Sequence, residues 1–385
     1  MNEPKIRFKG FSGEWEEHSL AEKDFSIIAG GDIDRTIIQK SGRYPVIANA
    51  ITSDGILGYY EKSYRVKGPA VTVTGRGDVG IAFARHYSFT PVVRLLAIKS
   101  THNVDFLANA INLCQVPVES TGVPQLTTYK LQEYNLFMPQ TIDEEDKLAS
   151  FFTTLDTLIQ STTKKIESLK QVKAASLQSM FPQEGETTPR VRIGKRSYSW
   201  KEFKLEDFLV ERHECSTITP DLPQLSFTIE EGIIRPEDRK SNQRDFLIKD
   251  KDTKRYLVTR VGDIIYNPAN VVYGAIHRNS LTDGVVSPIY KIFTTNQDSR
   301  FIECLVRRPS FINQLAMRTE GTVTKLKTLK PEAFLDMSVF IPTDSEEQRL
   351  IGEYFASLDS QITLQTQRLE KLKQIKSACL DSMFV

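Results

Sequence analysis

Three glycines, Gly75, Gly77 and Gly80, follow the run Val71–Thr74 with the spacing G-x-G-x-x-G. In a dinucleotide site this loop leads from a strand into a helix, and an acidic residue follows about 20 residues later. Here residues 81–91 alternate between apolar and polar types, as a strand does. The pattern therefore favours a glycine-rich hairpin whose backbone can approach a ligand closely, and it disfavours nucleotide binding.

Other patterns with possible chemistry are incomplete. The segment Asn267-Pro268-Ala269-Asn270 lacks the second proline and the aromatic residue of the catalytic tetrapeptide of DNA amino-methyltransferases. The histidines have no metal-ligand spacing, and the scattered cysteines argue against a zinc site or a disulfide framework. We therefore expect a non-catalytic chain with no cofactor and no metal of its own.

The bulk properties are those of an ordinary globular chain. A length of 385 residues predicts two or three domains, and the net charge of +1 neither indicates nor excludes a nucleic-acid partner. The stretch from Arg235 to Arg260 is locally basic, which fits a solvated face equally well. Without an apolar run of about 18 residues or a secretory signal, the sequence predicts a cytoplasmic protein with no membrane association.

The chain repeats itself over about half its length. Residues 155–181 recur as residues 358–384, with Leu155, Asp156 and Phe181 matching Leu358, Asp359 and Phe384. The segment around Pro4 and Trp15 recurs around Pro189 and Trp200. Between these matching ends the two halves diverge. The pattern predicts two domains with a similar structural framework, called the frame, and different residues in the segment between the matching ends.

Each half ends in a long predicted helix. The helices begin near Asp143 and Ser345, and their apolar residues follow the four-then-three spacing of a coiled-coil seam. Thr162 and Gln365 interrupt the seam at equivalent positions. These polar residues either fix the register of the two helices or are imperfections in an apolar core. The predicted seam comprises Leu155, Ile159, Ile166, Leu169, Leu358, Ile362, Leu369 and Leu372.

Chain order restricts how these helices pack. The second mixed domain begins just after the first helix ends, and the second helix starts from that domain. The seams can pack only if the second helix runs back along the first. The sequence thus predicts an α+β fold, with two similar mixed α/β domains joined by two long antiparallel coiled-coil helices in a pseudo-two-fold arrangement.

The duplicated elements resemble one family. A strand-rich domain that opens on P-x-(I/V)-R and a tryptophan, followed by an acidic helix start and LD…L-K-Q-(V/I)-K…S-M-F, occurs twice. This order resembles the specificity subunit of a type I restriction–modification enzyme. The resemblance implies target recognition domains at 1–142 and 190–343, spacer helices at 143–181 and 344–385, and a linker at 182–189.

The resemblance also implies a function. Each recognition domain would read one half of an asymmetric, bipartite site in double-stranded DNA. The helices would set the spacing and dock two methyltransferase subunits, and motor–nuclease subunits would complete the complex. S-adenosylmethionine and ATP would then be bound by these partner subunits.

Base edges are read mainly by arginine, lysine and amide side chains, and phosphates are held by lysine and arginine. We expect DNA contacts in the loop after the Val71–Thr74 strand and in the equivalent part of the second half. The candidates are Thr74, Arg76, Arg85, His86, Lys40 and Arg43 in the first domain and Tyr266, Asn267, Asn270, Tyr273, His277 and Arg278 in the second. Two alternatives are a coiled-coil scaffold without DNA affinity and an enzyme that binds a nucleotide at Gly75–Gly80.

Overall fold

The computed structural model describes residues 2–114, 124–194, 199–239, 255–319 and 327–385. The chain divides into two compact units, Met1–Lys164 with Gln367–Val385, and Lys165–Thr366. Each unit therefore contains parts of both long helices. Residues 240–254, which carry Lys240, Arg244, Lys249, Lys251 and Lys254 of the predicted basic stretch, lie outside the described residues. No helix in the described part of the chain is both long and apolar enough to span a bilayer.

The first unit is built on an antiparallel sheet with the strand order β2-β8-β5-β6. A second sheet has the order β4-β3-β7, and β1 pairs with β9. The strands are β1 Glu16–Ser19, β2 Phe25–Ala29, β3 Tyr44–Ile47, β4 Ile56–Tyr60, β5 Ala70–Thr74, β6 Ala82–Arg85, β7 Thr90–Pro91, β8 Leu95–Ser100 and β9 Asn135–Met138. The helices are α1 Val104–Leu113, α2 Thr128–Gln132 and α3 Ile142–Ser179, which continues into the second unit.

The second unit repeats this plan. Its main sheet has the order β11-β19-β16-β17, and β10 pairs with β20 as β1 pairs with β9. The strands are β10 Trp200–Lys204, β11 Leu209–Glu211, β12 Cys215–Ser216, β13 Ser226–Thr228, β14 Gly232–Ile234, β15 Tyr256–Thr259, β16 Ile264–Tyr266, β17 Ile276–Arg278, β18 Gly284–Val286, β19 Lys291–Thr295 and β20 Ser338–Pro342. The helices are α4 Ser299–Val306, α5 Pro309–Met317, α6 Pro331–Leu335 and α7 Ser345–Met383, which continues into the first unit.

The two units differ outside this shared frame. In the first unit β3 and β4 precede the interior strand β5 and form their own sheet with β7. In the second unit the corresponding layer is β12-β15-β18, with a separate hairpin of β13 and β14. As predicted, the two units share a frame and differ in the segment between its matching ends.

The two long helices pack antiparallel within each unit. In the first unit Asp156 of α3 accepts a hydrogen bond from Lys376 of α7 at 2.6 Å, and the ring of Phe152 lies 5.7 Å from that of Phe384. Residue numbers thus fall along one helix as they rise along the other. The second unit gives the same sense, since Asp359 pairs with Lys173 at 2.5 Å and Tyr354 pairs with Ser176 at 2.9 Å. The prediction of antiparallel helices is confirmed.

Matching aromatic clusters anchor the helix ends to the sheets. In the first unit the rings of Trp15, Phe106, Phe152 and Phe384 pack together. In the second unit the rings of Trp200, Phe301, Phe355 and Phe181 pack in the same way. Trp15 recurs in the sequence as Trp200 and Phe181 as Phe384, so the repeat includes residues of the junction between each sheet and the helices.

A buried ion pair is duplicated as well. Arg7 binds Glu144 through two hydrogen bonds of 2.7 Å, and Arg192 binds Glu347 at 2.8 and 2.5 Å. The hydrogen bonds that the arginines donate to these glutamates raise the pKa of both arginines, against the opposing effect of burial. Each pair ties the segment that opens its half to the first turn of a long helix.

The predicted seam is partly interior. Leu155, Ile166 and Leu358 are buried, whereas Ile159, Leu169, Ile362, Leu369 and Leu372 are half-buried. Thr162, the polar seam residue of α3, is buried and donates a hydrogen bond to the carbonyl oxygen of Leu158 at 2.7 Å. Its hydroxyl is thus satisfied within its own helix. Seam residues that are buried in the chain support its internal packing and leave little surface for another subunit.

Candidate nucleic-acid interface

The glycine-rich segment of the first unit is the loop between the antiparallel strands β5 and β6. The strand β6, and no helix, follows Gly80, so this loop lacks the strand-to-helix geometry of a nucleotide site. Arg76 lies exposed in the loop, and Gly77 has a φ of +77°; a Cβ atom at Gly77 would meet no non-adjacent residue of the described ranges within 4 Å. The loop thus presents a cation at an open position.

Thr74 shapes this loop from inside. Its side chain is buried, its Oγ1 donates to the carbonyl oxygen of Asp78, and it accepts from the backbone N–H of Ile81 at 2.9 Å. Among the predicted DNA contacts, Thr74 is therefore a loop-closing residue that offers no free surface.

The other candidates of the first unit differ in exposure. Arg85 is buried; its Nε donates to Thr72 Oγ1 at 3.0 Å and its guanidinium lies over the Phe83 ring, so it does not reach the surface. His86 is exposed and lies 3.1 Å from the carboxylate of Asp105. Lys40 and Arg43 are exposed on the segment that enters β3, and the Arg43 guanidinium lies 5.3 Å from the centre of the Tyr44 ring.

The equivalent loop of the second unit follows β16. Asn267 Oδ1 accepts from the backbone N–H of Ala269 at 3.0 Å, and a short 3-10 turn, Val271–Tyr273, follows. Asn270 is half-buried, whereas Tyr273 is 72% exposed. Asn270 and Tyr273 therefore remain available to a ligand.

Three further candidates of the second unit are not free. Tyr266 is fully buried, and its hydroxyl donates to the carbonyl oxygen of Leu329 at 3.3 Å. His277 is buried beside the carbonyl oxygen of Ile229, and burial lowers its pKa to about 4. Arg278 is half-buried at 3.4 Å from the carboxylate of Glu303. The expectation that Tyr266 and His277 contact DNA conflicts with their interior positions.

The two loops occupy the same place in their units despite their different sequences. Each follows an interior strand of the main sheet, β5 in the first unit and β16 in the second. The backbone N–H of Leu126 donates to the carbonyl oxygen of Gly75 at 3.0 Å, and that of Leu329 donates to Pro268 at 3.0 Å. An equivalent backbone hydrogen bond thus holds each of the two chemically different loops.

Several exposed arginines of the first unit lack an acidic partner. In the described part of the chain, the exposed arginines of the first unit have no carboxylate oxygen within 4.0 Å; they are Arg35, Arg43, Arg65, Arg76, Arg94 and Arg368. In the second unit many arginines are paired with acids, namely Arg212 with Asp263, Arg260 with Glu214, Arg278 and Arg307 with Glu303, and Arg318 with Asp336. These arginines of the first unit are therefore exposed cations that an anion can approach. No group of histidine, cysteine, aspartate or glutamate among the described residues could hold a metal ion.

Comparison with known proteins places this fold in a family. A domain model described as the type I restriction modification DNA specificity domain matches residues 13–171. A protein of Mycoplasma pneumoniae named as the C-terminus of a type I specificity subunit is 30% identical over 105 residues, which cover 25% of this chain and 72% of that protein. This chain belongs to the type I specificity subunits.

Other members extend the similarity. Another M. pneumoniae protein named as a type I specificity subunit is 31% identical over 118 residues, or 30% of this chain, and the matched part spans only 31% of that relative's length. The crystal structure of the type I restriction–modification S subunit from M. genitalium is 12% identical, with a TM-score of 0.65, and the match covers 100% of this chain and 99% of that chain. The fold of a type I specificity subunit therefore extends over both halves.

Sequence reasoning missed three polar residues of the first unit. Asn49 accepts a hydrogen bond from the backbone N–H of Gly75, and Arg94 and Gln125 lie beside that loop. Asn49 is 26 residues from Gly75, so local patterns do not reveal the contact. A positive φ at Arg94, which few non-glycine residues adopt, is a backbone signal that only the structure provides.

Proposed function

We propose that this chain is the non-catalytic DNA-sequence specificity subunit of a type I restriction–modification complex. Each unit reads one half of an asymmetric, bipartite site in double-stranded DNA. Two methyltransferase subunits dock on the chain, and motor–nuclease subunits join them. S-adenosylmethionine and ATP bind to these partners.

The observation that carries the proposal is the repeated frame with its two different loops. The Arg7–Glu144 pair and the Arg192–Glu347 pair are equivalent, and so are the aromatic clusters. Yet the loop after the interior strand, β5 or β16, contains Arg76 in one unit and Asn267 and Asn270 in the other. Two units that share a frame but carry different polar loops are suited to reading two different DNA sequences.

The loop chemistry fits base recognition. Arginine pairs with the O6 and N7 atoms of guanine, and asparagine pairs with the N6 and N7 atoms of adenine in the major groove. Arg76 is exposed and Asn270 is half-buried at the surface of its turn, whereas Asn267 Oδ1 already accepts from the backbone N–H of Ala269. The two half-sites therefore differ, and the complete site is asymmetric.

The long helices supply the spacing between half-sites. A protein with two readers binds half-sites separated by about one helical turn, roughly 34 Å, or by multiples of it. Helices α3 and α7 have 38 and 39 residues, and each contributes to both units. The exposed faces of these helices are the docking sites for the methyltransferase subunits.

The test is single-molecule sequencing of methylated DNA from cells that co-express this chain with a type I methyltransferase subunit of its own system. The proposal predicts a split, asymmetric motif with methylated adenine in both halves. Cells with the methyltransferase alone serve as the control and should lack that motif. A contiguous palindrome would contradict the two-reader model. An assembled complex without methylation or DNA affinity would favour the alternative, a coiled-coil scaffold.

A further inference from the structure

Asn49 connects two exposed loops of the first unit. Its Oδ1 accepts from the backbone N–H of Gly75 at 2.8 Å, and its Nδ2 donates to the carbonyl oxygen of Val93 at 3.0 Å. The next residues in these loops are Arg76 and Arg94. One amide side chain thus uses its donor and its acceptor to fix the positions of two arginines.

The backbone around Asn49 is unusual. Within the described residues, the non-glycine residues with positive φ are Ser53 at 51°, Asp54 at 55° and Arg94 at 71°. Ser53 and Asp54 lie in the turn after Asn49, and Arg94 directly follows Val93. Such conformations persist only where the surroundings impose them, and they concentrate at ligand-binding sites.

Close packing makes the two loops one structure. A Cβ atom at Gly75 would overlap the carbonyl oxygen of Arg94, so only glycine permits this approach. Arg76 forms a β-bridge with Gln125, whose side-chain oxygen accepts from the Arg94 guanidinium. Asn49, Arg76, Arg94 and Gln125 form a connected group, which we call the Asn49 cluster.

The two arginines of the Asn49 cluster differ in how firmly they are held in position. Arg94 is held at both ends, by its constrained backbone and by Gln125, so its guanidinium has a defined direction. Arg76 precedes Gly77, which has open space around it, so its position is less restricted. Both are exposed, and neither has a carboxylate partner in the described part of the chain.

Directed guanidinium groups suit base edges. A bidentate contact to guanine requires a fixed orientation, whereas a phosphate accepts a cation from many directions. We propose that Arg94 is a specificity-determining residue of the first unit, which contacts a base edge in the major groove, and that Asn49 is the residue that positions it. This inference rests on the proposed function and identifies the residue that makes one of its base contacts.

The test uses the full chain in complex with its methyltransferase subunits. The probe is a duplex with the methylated motif, together with duplexes in which each base pair of the motif is replaced in turn. The main variant is Arg94→Gly, because glycine adopts a φ of 71° without strain and the fold should be kept. Lys23→Ala is the control, since it removes the same charge from an exposed position of the same unit.

Arg94→Gly should weaken binding to the intact motif by about tenfold to a hundredfold, as expected for the loss of one bidentate base contact. Discrimination should disappear at one or two adjacent base pairs of a single half-site and stay intact in the other half. Asn49→Ala should reduce discrimination at those same base pairs, a pattern that general destabilisation would not produce. Lys23→Ala should leave the discrimination profile unchanged.

The possible failures are distinguishable. If the wild-type complex binds its motif specifically and Arg94→Gly keeps full discrimination at every base pair, the assignment of Arg94 is wrong and the proposed function stands. If Asn49→Ala changes only thermal stability, its positioning role is wrong. If the wild-type complex shows no sequence-specific binding, the proposed function itself fails.

Discussion

His102 Nδ1 lies 2.7 Å from the buried carboxylate of Glu145, and the equivalent pair in the second unit is neutral. There Gln348 Nε2 donates to Gln297 Oε1 at 2.8 Å. Both pairs connect the start of a short helix to the first turn of a long helix. The duplicated frame thus uses a titratable pair in one unit and an uncharged pair in the other.

We predict that this pair makes the stability of the first unit depend on pH. The hydrogen bond to Glu145 raises the pKa of His102, as do the charges of Glu145, Asp24 and Glu22, against the opposing effect of burial. Because the folded pKa exceeds the ordinary value of 6.5, the stabilisation is complete below that pH and is lost as pH rises through the raised pKa.

The matched variant carries His102→Gln together with Glu145→Gln, which reproduces the pair of the second unit. Thermal unfolding between about pH 6 and pH 9 should show wild type losing stability relative to this variant as pH rises. A difference in Tm that stays constant over this range would show that His102 does not titrate as predicted.

The duplicated ion pair should be essential for each unit. Arg7→Ala leaves the carboxylate of Glu144, which is 3% exposed, without its bidentate partner. Removing one member of a buried pair costs about 3 kcal/mol or more. Arg349→Ala is the control, because Arg349 pairs with Glu346 and Glu353 at an exposed site, where ion pairs contribute little. Chemical denaturation should separate the two variants, and equal losses would contradict the account.

The helix junction should depend on Phe181. Its ring is fully buried and lies 5.6 Å from the Phe301 ring and 4.7 Å from the Arg308 guanidinium carbon. Phe181→Ala should lower the free energy of unfolding by about 3 to 5 kcal/mol through lost contacts and the cavity left behind. Leu364→Ala on the same pair of helices should change little, because Leu364 is 62% exposed. Similar unfolding curves for both variants would contradict this assignment.

Much of the fold could be predicted because the repeat fixes long-range relationships. Residues such as Trp15, Phe181 and Phe384 recur at constant offsets, and they form the junctions between sheets and helices. The strands around Val71 and Ile264 were visible as β-branched runs between turn residues. The antiparallel sense of α3 and α7 followed from chain order together with the apolar seams, which can pack only if the second helix runs back along the first.

The functional residues were harder to predict. Arg85 and His277 carry suitable chemistry, but they lie on strands whose polar side chains are buried against neighbouring elements. An alternating pattern of polar and apolar residues cannot show whether other elements cover both faces of the sheet, and so whether a polar side chain is buried. The second long helix was predicted to begin near Ser345, and the Asp344 carboxylate, one residue earlier, accepts from the backbone N–H of Glu346 at 3.0 Å. Asn49 depends on contacts 26 and 44 residues away, which no local pattern records.

The most direct test of the two-reader account compares Arg76→Ala with Tyr273→Ala, which remove exposed side chains from different units. For each variant complex, affinity is measured for the intact motif and for duplexes with one half-site scrambled. We predict that Arg76→Ala reduces the cost of scrambling one half-site and Tyr273→Ala reduces the cost of scrambling the other. If both variants affect the same half-site, or both half-sites equally, the units do not read DNA independently and the account is wrong.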